Sequence, residues 1–226
     1  MLPLRDNVPT RSLPVVTYAL IATNVFVWVL YQLPSLQASV DELGYHPCEV
    51  ENSCPTVGQD WPATAVTSMF MHGSWEHLLG NMLFLWIFGN NVEDVLGKIR
   101  FLPFYFLAGF AATATQTFVT LGYGSPQDGE IPNLGASGAI AGVLGAYLVL
   151  VRGGSVLTLV GFFLVPIPAI VFLGFWFLFQ LWQGGAEITH PESGGGVAFA
   201  AHVGGFVFGM LTAHLFANRR PLAASW

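Results

Sequence analysis

The chain has 226 residues and a formal net charge of −6, and 54% of its residues are hydrophobic while only 9% are charged. An ordinary soluble domain carries roughly 25% charged residues, so this composition excludes a typical water-soluble protein and predicts an integral membrane protein. The excess of acidic over basic residues also argues against a nucleic-acid partner, since phosphate binding needs clustered Lys and Arg.

Six apolar stretches come close to the roughly 20 residues that a helix needs to cross the hydrocarbon core of a bilayer. In chain order, the predicted spans cover residues 13–33, 75–95, 101–123, 135–151, 156–182 and 197–217. The fourth span is short, and Pro166 and Pro168 are expected to kink the fifth. No small-residue cleavage site follows the first span, so we expect it to be retained. The sequence therefore predicts one all-α membrane domain, residues 1–226.

The positive charges indicate how the predicted spans are oriented. An even number of spans separates each cationic group from the next, so all of them fall on one side of the membrane, and they are Arg5, Arg11, Lys98, Arg100, Arg152, Arg219 and Arg220. Because cytoplasmic loops are enriched in Lys and Arg, this side is expected to face the cytoplasm. The prediction is a multi-pass protein of the plasma membrane with both termini in the cytoplasm.

Two cysteines, Cys48 and Cys54, lie close together in the long polar loop after the first span. On the extracytoplasmic side they could form a local disulfide, and the alternative is two unpaired thiols. The sequence does not choose between these states. A zinc site that adds His46 and His72 is disfavoured, because the spacing matches no common ligand pattern.

Four polar side chains interrupt the apolar spans, where polar groups are costly and usually functional. His77 and Asn81 lie in the second span, Ser137 in the fourth and His202 in the sixth. With a helical rise of about 1.5 Å per residue, all four lie roughly 20–25 Å above the cytoplasmic boundary of a core about 30 Å thick. They therefore share one depth, a few ångströms below the extracytoplasmic surface.

This shared depth suggests a catalytic group. A serine hydroxyl becomes a nucleophile when a base removes its proton, and His202 lies on another helix at the right height to act on Ser137. His77 and Asn81 share a helix face, so together with the backbone N–H of Ser137 they could bind an oxyanion. Glycines would let the fourth and sixth spans approach closely, and these are Gly135, Gly138, Gly142, Gly205 and Gly209.

Each of these features also has a purely structural interpretation. A lone serine in a membrane helix usually bonds its own backbone, and such glycine patterns usually indicate helix packing alone. His77 by itself fits an interfacial residue, as do His72 and His214, and Asn81 by itself fits a bond between helices. The coincidence of depth on three different helices is what favours a site.

Three motifs in the same order resemble those of the rhomboid intramembrane serine proteases. They are His77-x-x-x-Asn81 in the second span, Gly135-x-Ser137-Gly138 at the start of the fourth, and Ala201-His202-x-x-Gly205-x-x-x-Gly209 in the sixth. The opening Pro3-Leu-Arg-Asp-Asn and the stretch from Phe88 to Gly97 are also similar to bacterial rhomboids. The resemblance covers essentially the whole chain.

The resemblance implies a six-helix rhomboid bundle with a short central helix 4 that carries the nucleophile Ser137. It implies His202 as the general base without an acidic third member, and an oxyanion hole formed by His77, Asn81 and the Ser137 amide. The fifth span and the loop before the sixth are implied to act as a movable gate and cap. Substrates would be single-span membrane proteins, cut near the extracytoplasmic face, and no metal or cofactor is required.

Two positions depart from the pattern of some family members. Ala141 stands where some members have a tyrosine that packs on the histidine, so the sequence does not show what orients His202. Trp61 is followed by Pro62 instead of an arginine, which leaves the details of the first loop open. The main rival function is a catalytically silent relative that binds or escorts transmembrane helices. A small transporter is disfavoured, because the cytoplasmic halves of the even-numbered spans are almost wholly apolar.

Overall fold

The structure, a computed structural model, describes residues 2–54, 60–189 and 198–223. Within these residues the α-helices are α1 (Val15–Val27), α2 (Leu36–Leu43), α3 (Trp61–Thr67), α4 (Trp75–Phe84), α5 (Asn90–Leu96), α6 (Lys98–Tyr123), α7 (Ser137–Leu150), α8 (Ala169–Thr189) and α9 (Phe199–Phe216). The strands are β1 (Leu2–Asp6), β2 (Val151–Arg152), β3 (Ser155–Val160), β4 (Phe163–Pro168) and β5 (Leu222–Ala223). The described chain is therefore mostly helical, with a small amount of sheet.

Short turns of non-α helix join some of these helices into longer rods. A π-helical turn, Trp28–Gln32, and a 3-10 turn, Leu33–Ser35, connect α1 to α2, so the helix is continuous over the 29 residues Val15–Leu43. A second π-helical turn, Leu85–Gly89, connects α4 to α5. The second rod ends at Gly97, whose φ of +77° suits glycine at a helix end. It matches the predicted second span in position.

Three helices of the described chain are long and apolar enough to cross a bilayer, namely Val15–Leu43, Lys98–Tyr123 and Phe199–Phe216. Two shorter apolar helices, Ser137–Leu150 and Ala169–Gly185, pack with them. A protein that carries several such helices is a multi-pass helical membrane protein. The first helix extends ten residues beyond the predicted span 13–33.

The prediction of the fifth span, residues 156–182, is wrong in its first part, so the fold is mostly helical and not all-α as predicted. Strands β3 and β4 form an antiparallel hairpin there, and β1 pairs with the other edge of β3. Gly161, with a φ of +60°, lies in the turn. Pro166 and Pro168 would break a helix but are tolerated on the edge strand β4, and the β-branched residues of this stretch favour strands. The apolar helix α8 begins only at Ala169.

Helices α6, α7 and α9 pack against one another, and small residues bring all three close together. A side chain at Gly142 would collide with Ala108 of α6, and one at Gly209 would collide with the backbone of Gly142. A side chain at Gly205 would likewise collide with the carbonyl group of Gly138. These contacts place the N-terminal end of α7 directly beside the first turns of α9.

Two buried carboxylates form hydrogen bonds between separate segments of the chain at the end of the bundle that carries the cationic residues. Asp94 accepts hydrogen bonds from Arg11 Nε at 2.9 Å, Ser12 Oγ at 2.6 Å and Arg219 Nη1 at 2.8 Å. Glu93 accepts from the backbone N–H of Thr17 at 2.7 Å and from its hydroxyl at 2.8 Å, which satisfies the first turn of α1. Residues near both ends of the chain are thus tied to one point of α5.

Asp6 links the first strand to the central helix at the same end of the bundle. Its carboxylate accepts a hydrogen bond from the Tyr147 hydroxyl of α7 at 2.8 Å and another from the Asn91 amide. Burial raises the pKa of Asp6 to about 6, and the hydrogen bonds oppose this shift only in part. The contact between β1 and α7 therefore contains a group that titrates in mildly acidic solution.

Cys48 and Cys54 form a disulfide in the loop between α2 and α3. This decides between the two states that the sequence left open, and neither sulfur is available as a zinc ligand. Tyr45, in the same loop, exchanges backbone hydrogen bonds of 3.1 and 2.7 Å with Asn133, which lies just before α7. The disulfide therefore lies at the end of the bundle where Ser137 begins α7, opposite the cationic end.

Candidate active site

Ser137 is the first residue of α7, and the turn before the helix sets its position. Gly135 has a φ of +120°, a conformation that favours glycine, and its N–H donates to the Ser68 carbonyl at 2.9 Å. A Cβ at Gly135 would lie 2.7 Å from Nε2 of His77, so a larger residue would not fit between α4 and α7. Because the first N–H groups of a helix have no partner within it, the Ser137 amide can bind an anion.

Ser137 and His202 meet between α7 and α9. The Ser137 Oγ lies 2.7 Å from Nε2 of His202, which is hydrogen-bonding distance. A general base must be within this reach of the proton that it removes. The expectation that the two side chains touch agrees with this distance, whereas their chemical roles stay predictions.

The other ring nitrogen of His202 contacts α8. Its Nδ1 lies 2.8 Å from Oε1 of Gln180, and the Trp176 ring lies beside the imidazole with centroids 5.9 Å apart. Gln180 therefore occupies the orienting position that Ala141 leaves open. Gln180 is not among the site residues predicted from the sequence, although it is the one amide side chain in the otherwise apolar stretch from Ala169 to Trp182.

His77 and Asn81 present donors on one face of α4. The N–H of Gly73 donates to His77 Nδ1 at 3.4 Å, so the ring proton belongs on Nε2, the nitrogen nearest Gly135. The amide nitrogen of Asn81 is buried and has no hydrogen-bond partner among the described residues. A buried donor without a partner can donate to a group that enters the site.

A small cavity adjoins Ser137. Its volume is about 40 Å³, and Ser68, Gln116 and Asn133 are among the residues that line it. The Ala201 N–H of α9 donates to Gln116 Oε1 at 3.1 Å, which fixes this side chain beside the first turn of α9. A single water needs roughly 10–15 Å³ on this measure, so the cavity can hold a few waters next to the serine.

A further histidine, His72, lies next to His77. His72 is fully buried, so its prediction as an interfacial residue is wrong. Gln32 holds the backbone of His72 inside the bundle through hydrogen bonds of 2.9 and 3.0 Å, and the His72 ring packs edge-on against His77 with centroids 5.0 Å apart. Burial lowers the pKa of His72 to about 3, so its ring is neutral. His190 lies outside the described residues, as does most of the glycine-rich loop Gly184–Gly196 that was expected to act as a cap.

These features define a class: a mostly helical, multi-pass membrane protein with a serine–histidine pair at the start of a short central helix. The family model described as the Rhomboid domain matches residues 59–219. The chain therefore belongs to the rhomboid family.

Curated proteins from animals, fungi and bacteria are similar to this chain. The "Presenilin-associated rhomboid-like protein, mitochondrial" of Bos taurus is 29% identical over 219 residues, which is 92% of this chain and 51% of that protein. The "Rhomboid protein 1, mitochondrial" of Saccharomyces cerevisiae is 30% identical over 203 residues, which is 86% of this chain and 51% of that protein. The "Rhomboid protease GluP" of Bacillus subtilis is 30% identical over 88% of this chain and 34% of its own length. This chain thus spans about half the length of these relatives or less.

Proposed function

We propose that this chain is an intramembrane serine endopeptidase that cuts single-span transmembrane proteins near their extracytoplasmic face. The observation that carries the proposal is the 2.7 Å distance between Ser137 Oγ and His202 Nε2. Membership of the rhomboid family supports it, because a relative that is 30% identical carries the name of a rhomboid protease.

In the first step, Nε2 of His202 takes the proton of Ser137 as Oγ attacks the carbonyl carbon of the scissile peptide. The Oγ–C bond forms, and the π electrons of the carbonyl group move to its oxygen. The Nε2–H of His77, the amide N–H of Asn81 and the Ser137 backbone N–H are the donors for this oxyanion. Preorganised donors of this kind contribute about 100-fold or more each to kcat.

In the second step, the C–N bond breaks and the imidazolium of His202 gives its proton to the leaving amine. The product is an ester of Ser137. A water from the small cavity then attacks the ester carbon while His202 takes one of its protons. The Oγ–C bond breaks, Oγ recovers the proton from His202, and the serine is regenerated. Neither a metal ion nor a cofactor takes part in these steps.

The orientation follows from the two ends of the bundle. We assign six spans, formed by the rods Val15–Leu43 and α4–α5 and by α6, α7, α8 and α9. The end that carries the Lys and Arg residues faces the cytoplasm, and the disulfide end faces outward, where disulfides persist. The 14 residues of α7 span about 21 Å, so Ser137 lies below the outer surface of a core about 30 Å thick. The plasma membrane is the proposed location.

An apolar cavity between α4 and α8 supports lateral entry of a transmembrane substrate. Its volume is about 540 Å³, and its lining includes Phe84 of α4 and Val171, Phe175 and Phe179 of α8. An apolar helix of a substrate could enter here from the lipid without exposing polar groups. Helix α8 is then the gate that moves, in keeping with the role that the family resemblance implies for the fifth span.

The test is cleavage of a reporter transmembrane protein by the purified chain in vesicles. Ser137→Ala and His202→Ala are each expected to abolish cleavage, whereas His214→Ala, on the same helix as His202, keeps it. A fluorophosphonate probe is expected to label wild type and not Ser137→Ala. Cleavage by Ser137→Ala would falsify the assignment. Absence of both cleavage and labelling in folded wild type would instead favour the silent relative that only binds transmembrane helices.

A further inference from the structure

We propose that Gln180 is the positioning residue for His202, and that α8 thereby couples the position of the gate to the reactivity of Ser137. This inference rests on the proposed function. It begins from the contact of 2.8 Å between Gln180 Oε1 and His202 Nδ1.

The contact determines which of the two imidazole tautomers His202 adopts. The Gln180 side-chain oxygen can only accept a hydrogen bond, so Nδ1 of His202 must carry the ring proton. Nε2 then keeps its lone pair and points it at Ser137 Oγ, 2.7 Å away. When Nε2 takes the serine proton, the Nδ1–H bond to Gln180 also stabilises the resulting imidazolium. A neutral amide thus serves the orienting function that a carboxylate serves in many serine hydrolases.

The surroundings of Gln180 favour this contact. Gln180 is only 6% exposed and is the one amide in the stretch from Ala169 to Trp182, where an unpaired amide would be costly. One turn away, Phe177 stacks on Phe206 of α9 with centroids 4.5 Å apart. Helix α8 must therefore lie against α9 for Gln180 to reach His202.

The coupling follows from how the three helices are held. Glycines lock α7 and α9 backbone to backbone, so Ser137 and His202 move together. Helix α8 packs on α9 through aromatic side chains such as Phe177 and Trp176, which can slide. When α8 moves outward to admit a substrate, Gln180 leaves Nδ1, and His202 regains its orientation only when the helix returns. Cleavage therefore occurs only after the substrate has entered and α8 has returned to its contact with α9.

Two substitutions at Gln180 test this role, each measured for cleavage of the reporter in vesicles. Gln180→Leu is expected to lower kcat about 10- to 100-fold with KM unchanged, since orientation is lost while binding remains. Gln180→Glu restores an acceptor for Nδ1 and is expected to recover most of that kcat. Gln183→Leu, the same change on the same helix, is the matched control and keeps the wild-type kcat. Thermal unfolding of each variant shows whether it is folded.

The outcomes separate this role from the proposed function. If wild type and Gln180→Leu react equally fast with a fluorophosphonate and cleave equally well, Gln180 does not position His202, although the protease assignment stands. If folded wild type neither cleaves nor reacts, both proposals fall. A rise in KM without a fall in kcat, or a Gln180→Glu variant no better than Gln180→Leu, also overturns the positioning role.

A different observation carries a second inference, which concerns the β3–β4 hairpin. We infer that the hairpin tip, residues 161–165, inserts its side chains into the cytoplasmic leaflet of the membrane. Phe162 is 99% exposed and Phe163 is 75% exposed, and Leu164 and Val165 are exposed as well. Four adjacent apolar side chains exposed to water would favour aggregation, whereas at a bilayer surface their burial among the lipids is favourable.

The apolar tip is continuous with the membrane surface of the protein. Strand β4 ends at Pro168, and the membrane helix α8 begins at the next residue. The outward side chains of α8 are also exposed, among them Ile170, Phe175 and Leu178. The hairpin tip therefore continues the apolar surface of α8 at the cytoplasmic end of that helix.

The charges around the hairpin fit a lipid surface. Every Lys and Arg of the chain lies at this end of the bundle, and Arg5 of β1 pairs directly with Leu157 of β3. The carboxylates at this end, Glu93 and Asp94, are buried, and Asp6 is partly buried. The exposed charge is therefore positive, which matches the anionic lipids of a cytoplasmic leaflet.

The backbone of the hairpin limits how deep it can lie. Strand β4 is an open edge, and unpaired backbone groups do not occur in contact with hydrocarbon. Pro166 and Pro168 remove two of its N–H donors, which also prevents pairing with another chain. The strand thus lies at headgroup level, and only its side chains reach the acyl chains.

A fluorescent label at the tip tests this placement. Both native cysteines are in the disulfide, so Phe162→Cys creates a single free thiol for an environment-sensitive nitrobenzoxadiazole dye. Gln127→Cys, in an exposed turn at the opposite end, is the control. In vesicles of phosphatidylcholine and phosphatidylglycerol, a nitroxide near the top of the acyl chain is expected to quench most emission at residue 162 and little at residue 127. Unquenched, water-like emission at residue 162 overturns the inference, and so does blue-shifted emission without lipid quenching, which would indicate a protein partner.

Discussion

Replacing Gly205 with alanine tests whether the close approach of α7 and α9 holds the serine–histidine pair together. A Cβ at Gly205 would lie 2.1 Å from the carbonyl oxygen of Gly138, whereas ordinary contact begins at 3.4 Å. The two helices must therefore separate by roughly 1 Å at this point. The opposing atom belongs to the backbone, so no flexible side chain can absorb the change.

This displacement falls beside the reacting groups. Gly138 directly follows Ser137, and Gly205 lies three residues after His202. The hydrogen bond of 2.7 Å between the two side chains is expected to lengthen beyond useful distance. Because a misplacement of about 1 Å can cost about 100-fold in rate, we expect a loss of this size in kcat. Overpacking should also lower the free energy of unfolding by roughly 1–3 kcal/mol.

The assay compares initial rates of reporter cleavage with thermal unfolding for each variant. Gly122→Ala is the matched control, because a Cβ at Gly122 meets nothing within 4 Å. Both variants replace a helical glycine with alanine, so the collision is the main difference between them. A folded Gly205→Ala protein that cleaves at the wild-type rate would refute the reasoning.

Three further predictions concern other parts of the molecule. Asn81→Ala is expected to lower kcat about 100-fold with little change in KM, measured by reporter cleavage, because the lost donor acts on the oxyanion alone. Cys48→Ser is expected to lower the free energy of unfolding by about 2 kcal/mol, because a short loop is no longer closed, and dithiothreitol should lower the Tm of wild type but not of this variant. The pKa of Asp6 is raised from 3.8 to about 6, so the folded protein binds the extra proton and loses stability as the pH rises from about 4 to 6. The Tm of Asp6→Asn minus that of wild type should therefore grow over this range and level off above it, and a constant difference would contradict the assignment.

The depth of the polar residues could be predicted from the sequence for a simple reason. Helical rise is constant, and charged residues mark the cytoplasmic boundary, so counting places Ser137 and His202 at one level. Glycine patterns then predict that their helices touch, and the two side chains lie 2.7 Å apart. The catalytic roles that follow stay predictions until the serine variant is assayed.

The hairpin and the role of Gln180 were harder to predict. Hydropathy is equally high for an apolar strand and an apolar helix, so residues 156–168 were assigned to the predicted fifth span. Gly161 and the two prolines were the local signals that favour strands over a helix here. From Ala169 to Phe179, helix α8 is apolar on all sides, so its pattern does not show which face meets α9. Without that rotation, the contact between Gln180 and His202 could not be anticipated. The Glu93 and Asp94 carboxylates lie near the end of the predicted second span, and they are buried because Thr17, Arg11 and Arg219 satisfy them.

The Asp94 carboxylate has a consequence for how the protein is made. It is enclosed by Arg11 and Ser12 from the first part of the chain and by Arg219 from the last. During synthesis the N-terminal partners emerge long before Arg219, so a nascent chain carries this carboxylate only partly satisfied until Arg219 has been made. A chain interrupted between Phe216 and Arg219 would therefore contain α1 to α9 and still leave the Asp94 carboxylate short of one hydrogen-bond donor.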